Sequence, residues 1–257
     1  RVLPDARLMR IAITRPSDDA EEFAGLLRAA GHQPLVAPVL EIELLTLFAS
    51  QLDDVAGLVA TSRYGLRALS ALPLPKSVRQ LPVHVVGGAT AALARSLGFE
   101  RLVEGNGTAR GLADAVAAAH RPADGTLLYL RGEDIAFDLA GQLRRQAIAV
   151  REAIVYRSHM VASWPQRIVA AFRDGDIDGA TLLSPRAAIA YATLVGHHEL
   201  TAIAAPLPHF CLSSQVATAL SASWPAAPVP MLLIADLPQI DRILILVNQE
   251  GAPVDVD

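Results

Sequence analysis

Arg10-Ile11-Ala12-Ile13-Thr14-Arg15-Pro16-Ser17, followed by the stretch Ala20–Ala30 and then Gly31, decides the fold. Ile11–Thr14 is a short apolar run of the kind that makes a buried strand. In Ala20–Ala30 the apolar residues return at three- and four-residue spacing, which places them on one face of a helix. Gly31 stands where a helix C-cap belongs. The stretch is a strand, a polar junction and an amphipathic helix.

The same unit recurs along the chain. Gly57–Thr61, Val83–Gly87, Leu127–Leu130, Ile154–Tyr156, Thr181–Ser184, His209–Leu212 and Met231–Ala235 read as further buried strands. Helical spacing is found in Tyr64–Ala71, Thr90–Leu97, Ala109–Ala119, Phe137–Gln146, Arg186–Leu194 and Gln215–Ala222, with Gly98 and Gly196 as further expected C-caps. Strand–helix alternation with continuously apolar strands predicts an α/β fold with parallel sheets covered on both faces. The number of strands suggests two such sheets. At 257 residues the chain can hold two ordinary cores, each of roughly 100–130 residues.

Composition narrows the function classes. Apolar residues make up 52% and charged residues 19%, which describes a globular chain. The longest apolar runs, such as Ala180–Leu183 and Met231–Ala235, fall far short of the ~20 residues of a membrane span. A net charge of −4 gives no support for nucleic-acid binding. One cysteine, Cys211, excludes an internal disulfide and fits a reducing cytoplasm. No charged-then-apolar leader opens the chain, which fits a cytoplasmic protein. Residues 1–8 precede Met9 and the first strand, and read as an upstream or expression-derived extension.

An internal repeat is visible. With Arg15 set on Arg131, Phe23–Arg28 falls on Leu139–Arg144 and Val39-Leu40 on Val155-Tyr156. Thr61-Ser62-Arg63 corresponds to Ser184-Pro185-Arg186, and the run from Gly87 to Leu93 corresponds to Ser213–Ala219. The matches keep their order, so the chain reads as two related halves, about 9–120 and 121–248.

In open α/β sheets, ligands bind beyond the carboxyl ends of the strands. Those junctions carry Thr14-Arg15-Pro16-Ser17, Thr61-Ser62-Arg63, Gly87-Gly88-Ala89-Thr90, Arg131-Gly132-Glu133, Ser184-Pro185-Arg186 and Ser213-Ser214. Glycines admit a ligand to the backbone, helix starts offer free N–H groups, and arginine adds a two-pronged donor. Ser and Thr at the same places also serve as plain helix caps. Shared chemistry at junctions of both halves points to one anionic ligand.

Ile13-Thr14-Arg15-Pro16, Ala20-Glu21-Glu22, Pro38-Val39-Leu40-Glu41-Ile42, Thr61-Ser62-Arg63 and Val85–Ala91 resemble the opening stations of the uroporphyrinogen-III synthase family. Leu128-Tyr129-Leu130-Arg131-Gly132-Glu133, Ile154-Val155-Tyr156-Arg157, Leu183-Ser184-Pro185-Arg186 and Leu212-Ser213-Ser214 continue them in the family's order. The resemblance runs from Met9 to about Val247.

The resemblance implies two α/β domains, 9–38 with 162–250 and 44–154, joined by a two-stranded ladder around Val36–Leu44 and Val150–Ser158. It implies dehydration and cyclisation of hydroxymethylbilane, a linear tetrapyrrole, to uroporphyrinogen III with inversion of ring D. No metal and no other cofactor is expected, because the pyrrole nitrogens supply the electronic push. Tyr156 matches the family's tyrosine proposed to donate to the leaving hydroxyl. Arg15, Thr61, Ser62, Arg63, Gly87, Thr90, Arg131, Gly132, Ser184, Arg186, Ser213 and Ser214 are the candidate substrate-binding residues. A monomer is expected, with a transient hand-over from hydroxymethylbilane synthase as a possible partnership. Gln215-Val216 departs from the threonine pair that family members commonly carry. The alternative that the same residues permit is a non-catalytic two-domain anion- or tetrapyrrole-binding module.

Other motifs read as structure. His197-His198-Glu199-Leu200 lacks the second histidine of a helical zinc site and is a polar loop. Cys211 lies inside an apolar strand as a core residue. Gly105–Gly111 is either a substrate-side loop or a helix cap. Arg144-Arg145 belongs to a solvated helix face.

Overall fold

A computed structural model describes residues 7–135 and 137–252. The first part of the chain forms β1 (Arg10–Ile13), α1 (Ser17–Ala29), β2 (Gln33–Val36) and β3 (Leu40–Leu44). Next come β4 (Val55–Ala60), α2 (Arg63–Arg67), α3 (Lys76–Arg79), β5 (Val83–Val85), α4 (Gly88–Ser96), β6 (Leu102–Glu104) and α5 (Ala109–Ala119). These are followed by β7 (Thr126–Gly132), α6 (Leu139–Arg144) and β8 (Val150–Met160). The remainder holds α7 (Gln166–Arg173), β9 (Gly179–Leu182), α8 (Pro185–His197), α9 (Thr201–Ala204), β10 (Pro208–Cys211), α10 (Ser214–Ser223), β11 (Met231–Ile234) and α11 (Ile240–Glu250).

The chain separates into two compact units, one made of residues up to Glu41 and from His159 onward, the other of Ile42–Ser158. The first unit holds a sheet in the order β11-β10-β9-β1-β2, and the second holds β3-β8-β7-β4-β5-β6. Ladders β1–β2, β1–β9, β9–β10 and β10–β11 are parallel, as are β4–β5, β4–β7, β5–β6 and β7–β8. The fold class read from the apolar runs is the one observed. β3 neighbours β8, and both strands run across a unit boundary. Leu45 N–H donates to the Val155 carbonyl at 2.8 Å, and Val161 N–H to the Val39 carbonyl at 3.1 Å. That order of partners makes β3 antiparallel to β8.

Both sheets are apolar on both faces. In β1, Ala12 joins one core while Ile11 and Ile13 join the other. In β7, Leu128 and Leu130 face one layer, and Leu127 and Tyr129 the opposite one. This alternation is the pleat acting on a strand buried on two sides. Each fully buried Leu, Ile or Phe contributes roughly 1.5–3 kcal/mol of transfer free energy.

The repeat is real in three dimensions. β1-α1-β2 matches β7-α6-β8, with Phe23, Ala24 and Leu27 buried in one helix and Leu139, Ala140 and Leu143 in the other. Each such piece pairs with a strand of the opposite half's longer run: β1 with β9, and β7 with β4. Equivalent halves have thus exchanged their first units. One register needs correction: the helix caps align Ser62, rather than Thr61, with Ser184.

Other expectations differ locally. Gly196 is not a C-cap, because α8 runs on to His197 and the left-handed turn falls at Glu199, φ 58°. Short α3, α7, α9 and β6 and the C-terminal α11 have no counterpart among the elements expected from periodicity. β11 is a partly exposed edge strand instead of a buried one. The extension expected over residues 1–8 lies mostly outside the described residues, but Arg7 pairs with Asp178 at 2.8 Å.

Candidate active site

Each sheet changes direction once. In the first unit the chain leaves β1 toward β2 but leaves β9 toward β10, so the switch lies between β1 and β9. In the second it lies between β4 and β7. Crevices at the carboxyl side of such switch points are where open α/β sheets bind ligands. The flanking residues are Thr14-Arg15 with Ser184, and Thr61-Ser62 with Arg131-Gly132.

The second unit's switch point is lined with hydroxyls. Thr61 Oγ1 lies 3.1 Å from the Tyr129 hydroxyl. Tyr129 is 2% exposed, and burial holds its phenol above the ordinary tyrosine pKa, so it stays protonated. Ser62 caps α2 by accepting from the Tyr64 N–H at 3.2 Å, and Arg63 opens that helix. At the end of β7 the register with β8 shifts, and Gly132 is set opposite Tyr156. A Cβ on Gly132 would fall 2.7 Å from Tyr156 Cε2 and 3.0 Å from its hydroxyl. Only glycine lets the phenol ring lie on the backbone here. The same ring is tilted against Tyr64, with centroids 5.6 Å apart, and the Arg67 guanidinium lies 4.8 Å from the Tyr64 centroid.

Arg131 is committed to its own loop. Its Nε donates to Glu152 at 2.7 Å, and Nη1 donates to the carbonyls of Gly132 (2.7 Å) and Glu133 (3.0 Å). Glu152 also receives Arg144 at 2.8 Å, so Arg144 is bound to β8, contrary to the solvated face expected for it. The role these contacts give Arg131 is to build the turn that presents Gly132.

Further along the same sheet edge, Gly87 is the N-cap of α4 in an extended conformation, with no side-chain cap. Thr90 is buried in the first turn of that helix. The Gly105–Gly111 loop resolves as a cap: Thr108 Oγ1 accepts from the Gly111 N–H at 3.0 Å, and Asn106 Oδ1 accepts from the Thr108 N–H and hydroxyl.

The first unit's switch point is organised differently. Thr14 Oγ1 donates to the Thr181 carbonyl at 2.6 Å, and Thr181 Oγ1 donates to the Ala12 carbonyl at 3.3 Å. Both hydroxyls are buried ties between β1 and β9. Arg15, partly buried, lies 3.7 Å from Asp19. With Ser184 and the apolar Leu40, Leu183, Leu212 and Ile240, it lines a cavity of about 410 Å³. Ser184 caps α8 through the Ala187 N–H at 3.1 Å, and Arg186 is exposed in the first turn. Ser213 is the N-cap of α10 without a side-chain bond, and Ser214 is exposed. Val216 is 1% exposed and belongs to the core, so the departure at Gln215-Val216 leaves no hydroxyl there.

The remaining singled-out motifs are structural. His198 accepts from the Trp164 N–H at 3.0 Å and stacks on its indole, so it is a packing residue and not a plain polar loop. Cys211 is fully buried, which pushes its thiol up to about 12. Among the described residues no group of three His, Cys, Asp or Glu side chains is arranged to hold a metal ion. None of their helices is long and apolar enough to cross a membrane.

A sequence model of one family, uroporphyrinogen-III synthase HemD, matches residues 21–240. The chain belongs to the uroporphyrinogen-III synthase family. It is an enzyme of the lyase class in tetrapyrrole biosynthesis, cyclising hydroxymethylbilane to uroporphyrinogen III. Among solved structures it is similar to uroporphyrinogen-III synthetase from Helicobacter pylori, with TM-score 0.60 and 16% identity over 94% of this chain and 99% of that one. A mutant uroporphyrinogen III synthase from Thermus thermophilus gives TM-score 0.51 and 17% identity over 94% and 98%. Comparison with curated protein sequences finds no match.

Around the candidate residues Tyr156 and Gly132 stand three neighbours that the sequence reading does not single out. Tyr129 holds Thr61, Tyr64 supports the Tyr156 ring, and Glu152 anchors Arg131. Tyr129 stands inside a quoted family station, so the signal was present. Nothing in the spacing marks Tyr64 or Glu152.

Proposed function

We propose that the second unit's switch point carries the chemistry and that Tyr156 is its acid. The supporting observation is the Tyr156 ring laid against Gly132 at the carboxyl end of β7. Hydroxide leaves ring A of hydroxymethylbilane only slowly at neutral pH unless its oxygen is protonated as the bond breaks. The Tyr156 hydroxyl donates its proton as the C–O bond breaks, and water departs. The resulting azafulvene is attacked by the substituted carbon of ring D, giving a spiro intermediate that fragments and closes with ring D inverted. A positioned general acid of this kind contributes about 10²–10⁴-fold. Holding the reacting ends together contributes more, roughly 7–11 kcal/mol in favourable intramolecular cases.

Carboxylates are held by Thr61, Ser62 and Arg63, by the uncapped start of α4 at Gly87 with Thr90 behind it, and by Gly132. In the first unit, Arg15, Ser184, Arg186, Ser213 and Ser214 take the same duty. Arg131 acts by positioning Gly132. The enzyme works in the cytoplasm as a monomer, receiving its substrate from hydroxymethylbilane synthase. Its domains are 9–38 with 162–250 and 44–154; compact units with nearby boundaries support that division.

The test is a coupled assay from porphobilinogen with hydroxymethylbilane synthase, separating isomer III from the spontaneous isomer I. Tyr156→Phe is expected to lower kcat by about 10²-fold with an unchanged circular dichroism spectrum. Wild-type kcat in that variant would remove Tyr156 from the chemistry.

A further inference from the structure

The second unit's switch point holds a polar pair that its counterpart lacks. With Ser62 set on Ser184 and Arg131 on Arg15, Thr61 corresponds to Leu183 and Tyr129 to Ile13. Ile13 is fully buried, and Leu183 packs on the same apolar cluster. The frame closes this position with two aliphatic side chains in one unit. In the other it uses a phenol and a hydroxyl 3.1 Å apart. The strands themselves do not require a hydrogen bond there.

The pair has a direction. Tyr129 is 2% exposed, and its ring lies in the layer of Val59, Leu112, Leu127 and Leu139. Burial keeps the phenol protonated at neutral pH, so its one proton needs an acceptor. Among the described residues that acceptor is the Thr61 hydroxyl oxygen. If Thr61 donated instead, the phenol proton would be left in an apolar layer, the costlier arrangement. Tyr129 therefore donates and Thr61 accepts. Thr61 is half-buried at the carboxyl end of β4, and its own proton remains to be given. A hydroxyl that already accepts one bond is polarised into a stronger donor for the next.

We propose that Tyr129 is a positioning residue for substrate binding: by donating to Thr61 it fixes that hydroxyl as a donor to a carboxylate of hydroxymethylbilane. The proposal rests on the reading of this switch point as substrate site, and adds a residue that acts without touching the substrate. A threonine alone can accept or donate. With the phenol behind it, Thr61 is committed to donating, which suits an anion.

Conversion of hydroxymethylbilane to isomer III by the full-length protein tests this, with KM and kcat taken separately. Tyr129→Phe keeps the ring in its layer and is expected to raise KM about two- to tenfold, the effect of losing one neutral hydrogen bond. Its kcat should be unchanged, since the contact serves ground state and transition state alike. Thr61→Val should raise KM at least as much, and adding Tyr129→Phe to it should raise KM no further, because the phenol acts only through that hydroxyl. Wild-type KM in Tyr129→Phe while Thr61→Val raises it, or rises that multiply in the double variant, would overturn the positioning role. Wild-type KM in both single variants would overturn the substrate contact at Thr61 on which that role rests.

Discussion

The two switch points share a scaffold and differ in what fills them. In the first unit, Thr14 and Thr181 spend their hydroxyls on strand carbonyls, and the cavity above them is walled by leucines and Ile240. In the second, Thr61 and Tyr129 face one another and Tyr156 lies on Gly132. The two frames are alike, and on the proposed reading only the second carries a phenol placed to hand over a proton. The other keeps Arg15 and two serine-led helix starts, which suits binding.

The largest contrast to exploit is in pH. Each unit buries one histidine on a strand, His209 in the first and His84 in the second, and burial is the main cause that lowers both to about 4 from 6.5. His209 bonds the Met231 carbonyl at 3.0 Å and lies 3.3 Å from the Tyr191 hydroxyl, whereas His84 has no partner. Above pH 6.5 both rings are neutral whether folded or unfolded, and stability is complete. As pH falls from 6.5 to 4 the unfolded chain takes up protons that the folded one refuses, so stability is lost. At pH 5 the loss is about 2 kcal/mol per histidine, approaching on the order of 3 kcal/mol each at pH 4. Urea unfolding at pH 7.5 and 5 measures it. His209→Gln should remove about half of that pH dependence, and stability independent of pH over this range would contradict the account.

Next in size is Gly132→Ala. The new methyl must displace the Tyr156 ring or the backbone, since 2.7 Å is shorter than any real Cβ contact. Overpacking costs about 1–3 kcal/mol of stability, and a displacement near 1 Å can cost about 10²-fold in rate. The comparison sharpens if Thr14→Val, which breaks a buried tie in the first unit, lowers stability but leaves kcat alone. Equal losses of kcat in the two variants would mean that the units are not divided into chemistry and binding.

The frame was readable in the residues because parallel strands buried on both faces are continuous apolar runs, as Leu127–Leu130 and Ile11–Ile13 are. The edges were not: β6 has three residues, and β2 carries Gln33 and Pro34. Amphipathic α7 went unread although Ile168, Val169 and Phe172 form its buried face. The candidate site was legible as a set of junctions. What the junctions could not reveal is which polar groups are already spent. Arg15 and Arg131 look alike in sequence, yet Arg131 is tied by Glu152 and two carbonyls. That difference depends on Glu152, which is distant in sequence and arrives only through the β7–β8 register.

The smallest effects lie at the helix starts. Ser184 accepts from the Ala187 N–H, so Ser184→Ala should cost about 1 kcal/mol in thermal or urea unfolding. Ser213 makes no such bond, and Ser213→Ala should stay within about 0.5 kcal/mol. An aspartate at position 213 can occupy the free N–H groups of α10 and place a negative charge at the positive end of the helix, adding about 0.3–1 kcal/mol. If those N–H groups serve substrate carboxylates, Ser213→Asp must raise KM while making the protein more stable. Gly87→Asp should do the same at α4, where the extended backbone accepts a side chain and the nearest atom to a new Cβ is 3.7 Å away. Stabilisation with KM unchanged would assign both starts to the scaffold and leave carboxylate binding to the arginines. A rise in KM at only one of them would show which unit holds the substrate.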